Sequence, residues 1–418
     1  MASAAPPRIS AAALTPMKHK LGIDTFRSGQ LECINALALH GRDAWVGFAC
    51  GGGKSLVFAA AMLLLSGVGI LIEPLNAIST AMSTYLLARA VKTILLDGTK
   101  AARASAVAAL LGDPDQPPVV IIGSPESVLH PAILAAMRSP IERGDKQRIL
   151  CSLSDASLKN SMTSRVSLIG IDEAHTVSQW SVRFRPHFAR LGELRAAVET
   201  WDYNSAPICA MTATATPAVR SAVKISIGFN DEGAVEEIQS LCRPNVAIYV
   251  HAPGNVSGKR TNAAAKAERV VHALHNPGVV LVFVSTLRAT TAVANVISFA
   301  ILTSSLGPIE VAEYHGQHYA PLLALRRARF EKAAHEAAVA TTTQSTSAPS
   351  TTRVLVSTPA FGMGVDISGG VNTVVLWDAP GSPSDMYQMA QRGGRDGKTL
   401  CTVHIFVSYA ERQVWKLR

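Results

Sequence analysis

The stretch FACGGGKSLVF at residues 48–58 contains three glycines, a lysine and a serine between two apolar runs. A loop of this kind, entering a helix directly after a strand, binds phosphate oxygens through backbone N–H groups and the positive end of the helix dipole. Lys54 would reach the outer phosphates of a nucleotide, and the Ser55 hydroxyl would bind Mg²⁺. Phe48 stands where the usual G-x-x-x-x-G-K-[ST] pattern has its first glycine, so a glycine turn with a surface lysine is the alternative.

The composition is that of a globular protein of two or three domains. The chain has 418 residues, of which 48% are hydrophobic. Lys and Arg outnumber Asp and Glu by 39 to 30, and the net charge of +9 suits a polyanionic partner such as nucleic acid without requiring one. The six cysteines form no C-x-x-C pair, which argues against a zinc ribbon and against a disulfide framework.

Two further segments bear on location. The most apolar run, residues 57–72, contains two glycines and is shorter than the roughly 20 residues that span a bilayer, so no membrane segment is predicted. Residues 1–14 contain no acidic residue and are predicted to form a disordered tail. An organelle transit peptide is the alternative interpretation of this start.

Short runs rich in Val and Ile alternate with Ala- and Leu-rich stretches along the whole chain. Strands that are apolar throughout, separated by helices, indicate a parallel sheet covered on both faces. Because the pattern starts again near residue 240, we predict two α/β domains, 15–240 and 241–418. The polar, low-complexity segment 340–352 is predicted to be a flexible insertion, and residues 142–165 a second one.

A second motif, LIGIDEAH at residues 168–175, ends an apolar strand with two adjacent carboxylates. A carboxylate at the carboxyl end of a strand beside a phosphate loop can hold Mg²⁺ through water, and a second one can polarise the attacking water. We therefore expect Asp172 to position the metal and Glu173 the water. A lone Asp-Glu pair is more often a solvated loop, but loop, strand and D-E-A-H in this order favour ATP and Mg²⁺ as cofactors.

Longer segments carry a family resemblance. They are IDEAHTVSQWSVRFRPHFARLGELR at 171–195 and STPAFGMGVD at 357–366, with LGIDTFRSGQ at 21–30, MTATATPAVR at 211–220 and YQMAQRGGRDG at 387–397 in the same order as in the family. Together they resemble the RecQ family of DNA helicases over about residues 15–410. Members of that family lack the leading glycine of the first motif, so Phe48 agrees with the resemblance. The fold it implies is α/β, with two RecA-like domains, each a mostly parallel sheet with helices on both faces.

The resemblance implies a nucleotide site that the two domains build together. Gln30 and Arg27 would recognise the adenine, since a carboxamide can bond the N6 and N7 edge of the base. Arg392 and Arg395 resemble arginine fingers, which stabilise transition-state charge; unliganded surface charge is the alternative for them. The residues implied for nucleotide binding are Arg27, Gln30, Gly51, Gly52, Gly53, Lys54, Ser55 and Gln388. Those implied for catalysis are Lys54, Asp172, Glu173, Arg392 and Arg395, with Ser55 and Asp172 holding Mg²⁺.

The resemblance also implies contacts to DNA. Aromatic rings stack on bases with about 1–3 kcal/mol each and without sequence preference, which suits Trp180 and Phe184, with Arg185 beside them. Core packing is the alternative, although the interleaved charged residues make full burial of this stretch costly. The residues implied for nucleic-acid binding are Ser124, Trp180, Phe184, Arg185, Ser285 and Thr358. Thr212 and Thr214 would link hydrolysis to domain movement.

The chain departs from the family pattern at a few positions. Residues 181–183 read SVR where members usually have G-H-D, and Met389 and Gln391 replace a usual Glu and Gly. The first change bears on the coupling of DNA binding to hydrolysis. None of these changes removes the Lys, Asp, Glu or Arg residues that the chemistry needs.

The resulting prediction is an ATP-dependent 3′–5′ DNA helicase that acts in DNA repair and recombination in the nucleus, with organelle import as an alternative location. Its predicted partner is DNA at junctions of single and double strands. A DNA-binding scaffold with a decayed ATPase and an RNA-directed ATPase are the alternative functions. The preferred DNA structure, the oligomeric state and any protein partners are left open by the sequence.

Overall fold

The structure is a computed structural model. It describes residues 9–113, 116–139, 166–180, 185–199, 206–251, 263–275, 278–343, 352–359, 371–395 and 397–407. The chain divides into two compact units, Met1–Leu241 and Cys242–Arg418. The predicted insertion at 142–165 lies outside the described residues.

The first unit is built on a seven-stranded parallel sheet. Its strands are β1 Ala44–Gly47, β2 Val68–Ile72, β3 Lys92–Leu96, β4 Val119–Gly123, β5 Val166–Ile171, β6 Ile208–Met211 and β7 Val235–Ile238. Their order in the sheet is β3-β4-β2-β5-β6-β1-β7. Every described pair is parallel, so the carboxyl ends of β1, β2, β5 and β6 meet at one edge of the sheet.

Helices flank this sheet. They are α1 Ala11–Leu21, α2 Gln30–Ala38, α3 Lys54–Leu64, α4 Asn76–Leu87, α5 Lys100–Leu111, α6 Pro125–Val128, α7 Pro131–Met137, α8 Thr176–Trp180, α9 Gly192–Glu199 and α10 Pro217–Ile227, with a 3₁₀ turn at Pro186–Arg190. The central strands β2, β4 and β5 are buried at every position, which explains why their sequences are apolar throughout rather than alternating.

Side chains of the central strands alternate between two cores. Leu71 of β2 and Leu168 of β5 pack on one face, together with Phe58 and its neighbours from α3. Ile72 and Ile171 pack on the other face, in the core that includes residues of α7 and α9. The face on which any residue of these strands lies can therefore be derived from its register.

The second unit repeats the architecture with six strands. They are β8 Val246–His251, β9 Val279–Phe283, β10 Glu310–Tyr314, β11 Thr352–Ser357, β12 Val371–Leu376 and β13 Cys401–Phe406, in the order β10-β11-β9-β12-β13-β8. The described pairs are again parallel. The helices are α11 Ala263–Leu274, α12 Leu287–Leu302, α13 Ala320–Thr343 and α14 Pro383–Ala390. The predicted α/β class with two parallel sheets is confirmed.

Three details differ from the sequence prediction. The disordered tail predicted for 1–14 is wrong from residue 9 onward, because α1 begins at Ala11 with Ser10 as its N-cap and buries Ala13. The flexible insertion predicted for 340–352 is wrong at both ends, because α13 continues to Thr343 and β11 begins at Thr352. Strand β7 was not predicted, since its Glu residues interrupt the apolar run that marks the other strands.

Candidate nucleotide site and nucleic-acid contacts

The predicted phosphate loop joins β1 to α3 at the carboxyl edge of the first sheet. Helix α3 begins at Lys54, and its N-cap Gly53 supplies no side-chain cap to the first turn. The first N–H groups of a helix have no intrahelical partner and attract anions. Lys54 Nζ lies 3.2 Å from the carbonyl oxygen of Phe48, to which it donates a hydrogen bond across the loop. The loop therefore presents the features needed to hold a phosphate chain.

The glycines of this loop are fixed by close neighbours. Gly53 has φ +87°, and a Cβ atom there would lie 2.3 Å from Nε2 of Gln30. At Gly52 a Cβ atom would lie 2.8 Å from Cβ of Phe48, whose side chain is fully buried. Phe48 is thus a core residue beneath the loop, and the glycine it faces is the one that makes room for it.

Gln30 and Arg27 hold the loop from the side of α2. Gln30 is buried, its Nε2 donates to the carbonyl of Gly52 at 3.0 Å, and its Oε1 accepts from the backbone N–H of Arg27 at 2.8 Å. The Arg27 guanidinium donates to the carbonyl of Gly51. The structure thus brings both residues to the phosphate loop, while their predicted contact with adenine stays a prediction.

The two carboxylates of the second motif follow β5 at the same edge. The backbone N–H of Asp172 donates to the carbonyl of Ile72 at 3.0 Å, and Oδ1 of Asp172 accepts from the N–H of Glu173 at 2.9 Å. Burial and the neighbouring Glu173 raise the pKa of Asp172 to about 6, while Lys54 opposes this rise. Lys54 therefore lies within electrostatic reach of Asp172, and the structure brings the two motifs together.

Glu173 has an unusual backbone. Its φ of +46° lies in the left-handed region, which L residues with a side chain seldom adopt. Hydrogen bonds secure the conformation, because its carbonyl accepts from both the N–H and the hydroxyl of Thr176 at 2.8 Å. Strain of this kind concentrates at functional sites, which agrees with the predicted role of Glu173.

The residues present fit a magnesium ion. Mg²⁺ prefers hard oxygen ligands and is held in nucleotide sites by one or two carboxylates together with phosphates and water. The hydroxyl of Ser55 and the carboxylate of Asp172 are of this kind, and Asp172 is a buried acid whose charge a cation would compensate. In the described part of the chain, Oε2 of Glu173 is buried and makes no hydrogen bond, and Nδ1 of His175 lies 3.4 Å from it.

A further contact links the second motif to the MTATA segment. His175 is buried, and its Nδ1 lies 2.8 Å from Oγ1 of Thr212. The same hydroxyl accepts from the N–H of Thr214 at 3.1 Å. Nδ1 of His175 also lies 3.4 Å from a carboxylate oxygen of Glu173. A chain of polar contacts thus runs from Glu173 to the end of β6, where the sequence places the coupling threonines.

Comparison with known proteins agrees with this geometry. A family model described as DEAD/DEAH box helicase matches residues 27–222, and one described as helicase conserved C-terminal domain matches residues 265–397. The ATP-dependent DNA helicase RecQ of Haemophilus influenzae is 27% identical over 399 residues, which cover 92% of this chain and 51% of that protein. The ATP-dependent DNA helicase Q5 of Mus musculus is 29% identical, covering 91% of this chain and 34% of that protein.

The chain is a helicase core of the RecQ family. It spans about half, or less, of the length of several of the curated relatives that it matches. Among solved structures, the helicase MrfA bound to DNA superimposes with a TM-score of 0.64 at 16% identity, covering 96% of this chain and 52% of that one. Dbp5 of S. cerevisiae, bound to RNA and ADP BeF3, gives 0.61 at 16% identity, with 99% and 90% covered. These likenesses, at 16% identity, show the fold alone.

The predicted DNA-binding residues of the first unit differ from one another in their contacts and burial. Arg185 is held by Glu126, to which its guanidinium donates two hydrogen bonds, and by the carbonyl of Pro74. Ser124 is buried and its hydroxyl lies 3.3 Å from that of Ser127. Trp180 is the last residue of α8, and Phe184 lies outside the described residues. Their contacts with DNA stay predictions.

Two of the predicted residues of the second unit follow strands, and the other three lie on or after helix α14. Ser285 follows β9, and its hydroxyl and N–H donate to a carboxylate oxygen of Asp378 at 3.0 and 3.3 Å. Thr358 follows β11 and is buried. Gln388 lies on α14, Arg392 follows that helix and is buried, and Arg395 is half-buried. The contribution of these arginines to ATP hydrolysis stays a prediction.

One cluster of side chains bears on the prediction of no zinc site, and the helices bear on the prediction of no membrane segment. In the described part of the chain, Glu313, His315 and His318 bring potential ligand atoms within 4.8 Å of one another. Glu313 accepts from Thr291, however, and the Arg326 guanidinium lies 3.2 Å from Nδ1 of His318, which opposes a metal ion there. Among the described helices, none combines the length and apolar character that crossing a bilayer requires.

Sequence reasoning missed two polar neighbours of this site. His175 was part of the recognised motif, but its partner Thr212 is 37 residues away. Glu73 was not predicted to belong to the site, although a carboxylate directly after the apolar strand GILI is the same signal that identified Asp172. Glu73 lies at the same edge of the sheet.

Proposed function

We propose that this chain is the motor of an ATP-dependent DNA helicase that moves 3′ to 5′ along one strand. The observation that carries the proposal is the meeting of the phosphate loop and the D-E-A-H carboxylates at one sheet edge, with Lys54 within electrostatic reach of Asp172. The RecQ relatives, named as ATP-dependent DNA helicases, supply the choice of DNA. Action in repair and recombination and a nuclear location remain predictions.

The residues of the first unit would divide the work of hydrolysis. The loop N–H groups and Lys54 bind and orient the phosphates of ATP, which is the role of a phosphate loop. Glu173 accepts a proton from the water that attacks the γ-phosphorus, and the bond to the β–γ bridging oxygen breaks. Ser55 and Asp172 would hold Mg²⁺, which neutralises phosphate charge when bound. Gln30 and Arg27 keep the loop in shape.

Residues of the second unit are also proposed to act in hydrolysis. Arg392 and Arg395 are proposed to stabilise the charge that develops on the γ-phosphate, and Gln388 to sense the nucleotide. Removing an arginine finger lowers the rate by about 10³ to 10⁵ where the effect is known. The link between hydrolysis and movement would run through His175 and Thr212, whose side chains lie 2.8 Å apart.

ATP hydrolysis measured with and without single-stranded DNA tests this proposal. We expect DNA to stimulate the wild type, and Lys54→Ala to remove turnover, because the lysine neutralises the phosphates. Arg103→Ala, an arginine of α5 away from the loop, is the matched control and should behave as the wild type. Turnover that DNA does not stimulate and that Lys54→Ala retains would contradict the proposal.

Strand displacement on a duplex with a 3′ tail tests the coupling. Glu173→Gln removes the proton acceptor and should abolish displacement while DNA binding persists. Salt-dependent DNA binding with no turnover in the wild type would favour a scaffold. Stimulation by RNA that exceeds stimulation by DNA would favour an RNA-directed ATPase.

A further inference from the structure

Glu73 is a buried carboxylate that the proposed mechanism does not use. It directly follows β2 and is 0% exposed. In the part of the chain that the structure describes, neither of its carboxylate oxygens has a hydrogen-bond partner. Burying an ionised carboxylate without a partner costs several kcal/mol. The side chain therefore requires either a proton or a cation from outside the chain.

Strand register places Glu73 beside Asp172. Strands β2 and β5 are neighbours, and Ile72 pairs with Ile171. The hydrogen bond from the N–H of Asp172 to the carbonyl of Ile72 continues this pairing by one residue. Glu73 and Asp172 are thus the next two residues of the same register, at the ends of adjacent parallel strands.

The alternation of side chains shows which face they share. Ile72 and Ile171 belong to the core on the face away from α3. One residue further along each strand, Glu73 and Asp172 lie on the opposite face, which is the face that packs against α3. Helix α3 begins at Lys54 of the phosphate loop. Glu73 is therefore on the side of the sheet where the phosphates of ATP would bind.

The electrostatics agree with this placement. Besides burial, the charges of Asp172 and Glu173 raise the pKa of Glu73 well above its usual value. Three carboxylates that influence one another repel when ionised, and a divalent cation removes that repulsion. Mg²⁺ is commonly bound by one or two carboxylates along with phosphates and water. A second carboxylate ligand beside Asp172 is therefore compatible with a magnesium site.

We propose that Glu73 is a second carboxylate of the magnesium site and acts with Asp172 to bind the divalent cation. The proposal rests on the proposed ATP site and adds a ligand to it. It predicts that Glu73 contributes to metal affinity and opposes nucleotide that arrives without metal, since its charge would repel uncompensated phosphates. A buried acid with a purely structural role would do neither.

Binding of Mn²⁺ to nucleotide-free protein, followed by the electron paramagnetic resonance of the free ion, tests the proposal. Loss of a carboxylate that supports a metal site typically costs about 10- to 100-fold in metal affinity, and we expect this for Glu73→Gln. Glu232→Gln, at an exposed acid of the same unit, is the control and should bind Mn²⁺ as the wild type does. ADP in EDTA should bind more tightly to Glu73→Gln than to the wild type, because the repelling charge is gone.

Equal Mn²⁺ affinity of wild type and Glu73→Gln, with and without ADP, would overturn the proposal. Weaker binding of ADP to Glu73→Gln than to wild type in EDTA would also overturn it. If the amide variant does not fold, Glu73→Met retains the volume without a polar group and gives the same test. Failure of the ATP site itself is distinguishable, because wild type would then bind no ADP in any condition while Mn²⁺ binding could still depend on Glu73.

Discussion

Buried carboxylates at the two ends of the first sheet differ in whether the chain supplies their hydrogen bonds. At the amino end, Asp43 is 2% exposed and accepts hydrogen bonds from the Arg195 guanidinium and from the N–H groups of Ile208 and Asn230. At the carboxyl end, Glu73 is equally buried, yet no described residue donates to it. Because both acids lie at ends of strands in one sheet, burial alone does not distinguish them.

The difference separates structure from function. A buried polar group that stabilises a fold has its hydrogen bonds made within the chain, as Asp43 does. Ligands of open parallel sheets bind at the carboxyl ends of the strands, and polar groups there are left for the ligand to satisfy. By this criterion Asp43 closes the amino end of the sheet, and Glu73 belongs to the site.

The largest expected effect concerns the amino end. Asp43→Ala leaves the Arg195 guanidinium buried without its carboxylate, and breaking a buried ion pair in this way costs about 3–5 kcal/mol. We expect that loss in the free energy of unfolding, measured with urea by the fluorescence of Trp45, which is buried in β1.

Glu73→Gln is the matched substitution at the other end. Since no described residue bonds the acid and burying its charge is costly, its amide should leave the free energy of unfolding of the metal-free protein unchanged or raise it. A loss at Glu73 as large as that at Asp43 would remove the distinction between the two ends of the sheet.

Local sequence patterns predicted some residues at the carboxyl end of the sheet and not others. Lys54 and Asp172 were predicted because each lies in a short segment whose chemistry is legible by itself. The pairing of Glu73 with Asp172 depends on β2 lying beside β5, and residues about a hundred positions apart meet there. No local pattern contains that strand order.

Arg185 shows the same limit at the predicted DNA contact. Its aromatic and basic neighbours in sequence favour a nucleic-acid role, whereas its guanidinium bonds Glu126, 59 residues earlier in the chain. Strand β7 was missed for a different reason. It lies at the edge of the sheet, and its alternating exposure lacks the apolar run by which the central strands were predicted.

A smaller effect concerns the backbone of Glu173, at the carboxyl end of the sheet, whose positive φ indicates strain. The left-handed backbone of Glu173 costs an L residue about 1–2 kcal/mol, which glycine avoids. Glu173→Gly and Glu173→Ala should both lose ATP turnover, while the glycine variant should be more stable than the alanine variant by about 0.5–1 kcal/mol. Equal stability of the two variants in urea would show that the backbone is not strained there.

A last effect extends the comparison to two half-buried histidines that pair without charge. In the second unit, Nδ1 of His404 lies 2.9 Å from Nε2 of His251. Burial first, and then His251, Arg269 and His272, lower the pKa of His404 to about 4. Between pH 6.5 and 4 the unfolded chain therefore binds a proton that the folded unit does not, so stability falls as the pH falls.

His404→Leu should make this acid-induced decline shallower. One proton of difference corresponds to at most about 1.4 kcal/mol per pH unit, and the partial exposure of the ring reduces that figure. Native-state hydrogen exchange of β13 at pH 7 and pH 5 measures the change, with His19→Leu on α1 as a surface control. An unchanged decline in His404→Leu would mean that the histidine pair resembles Asp43, fully satisfied within the fold, rather than a group held neutral by burial.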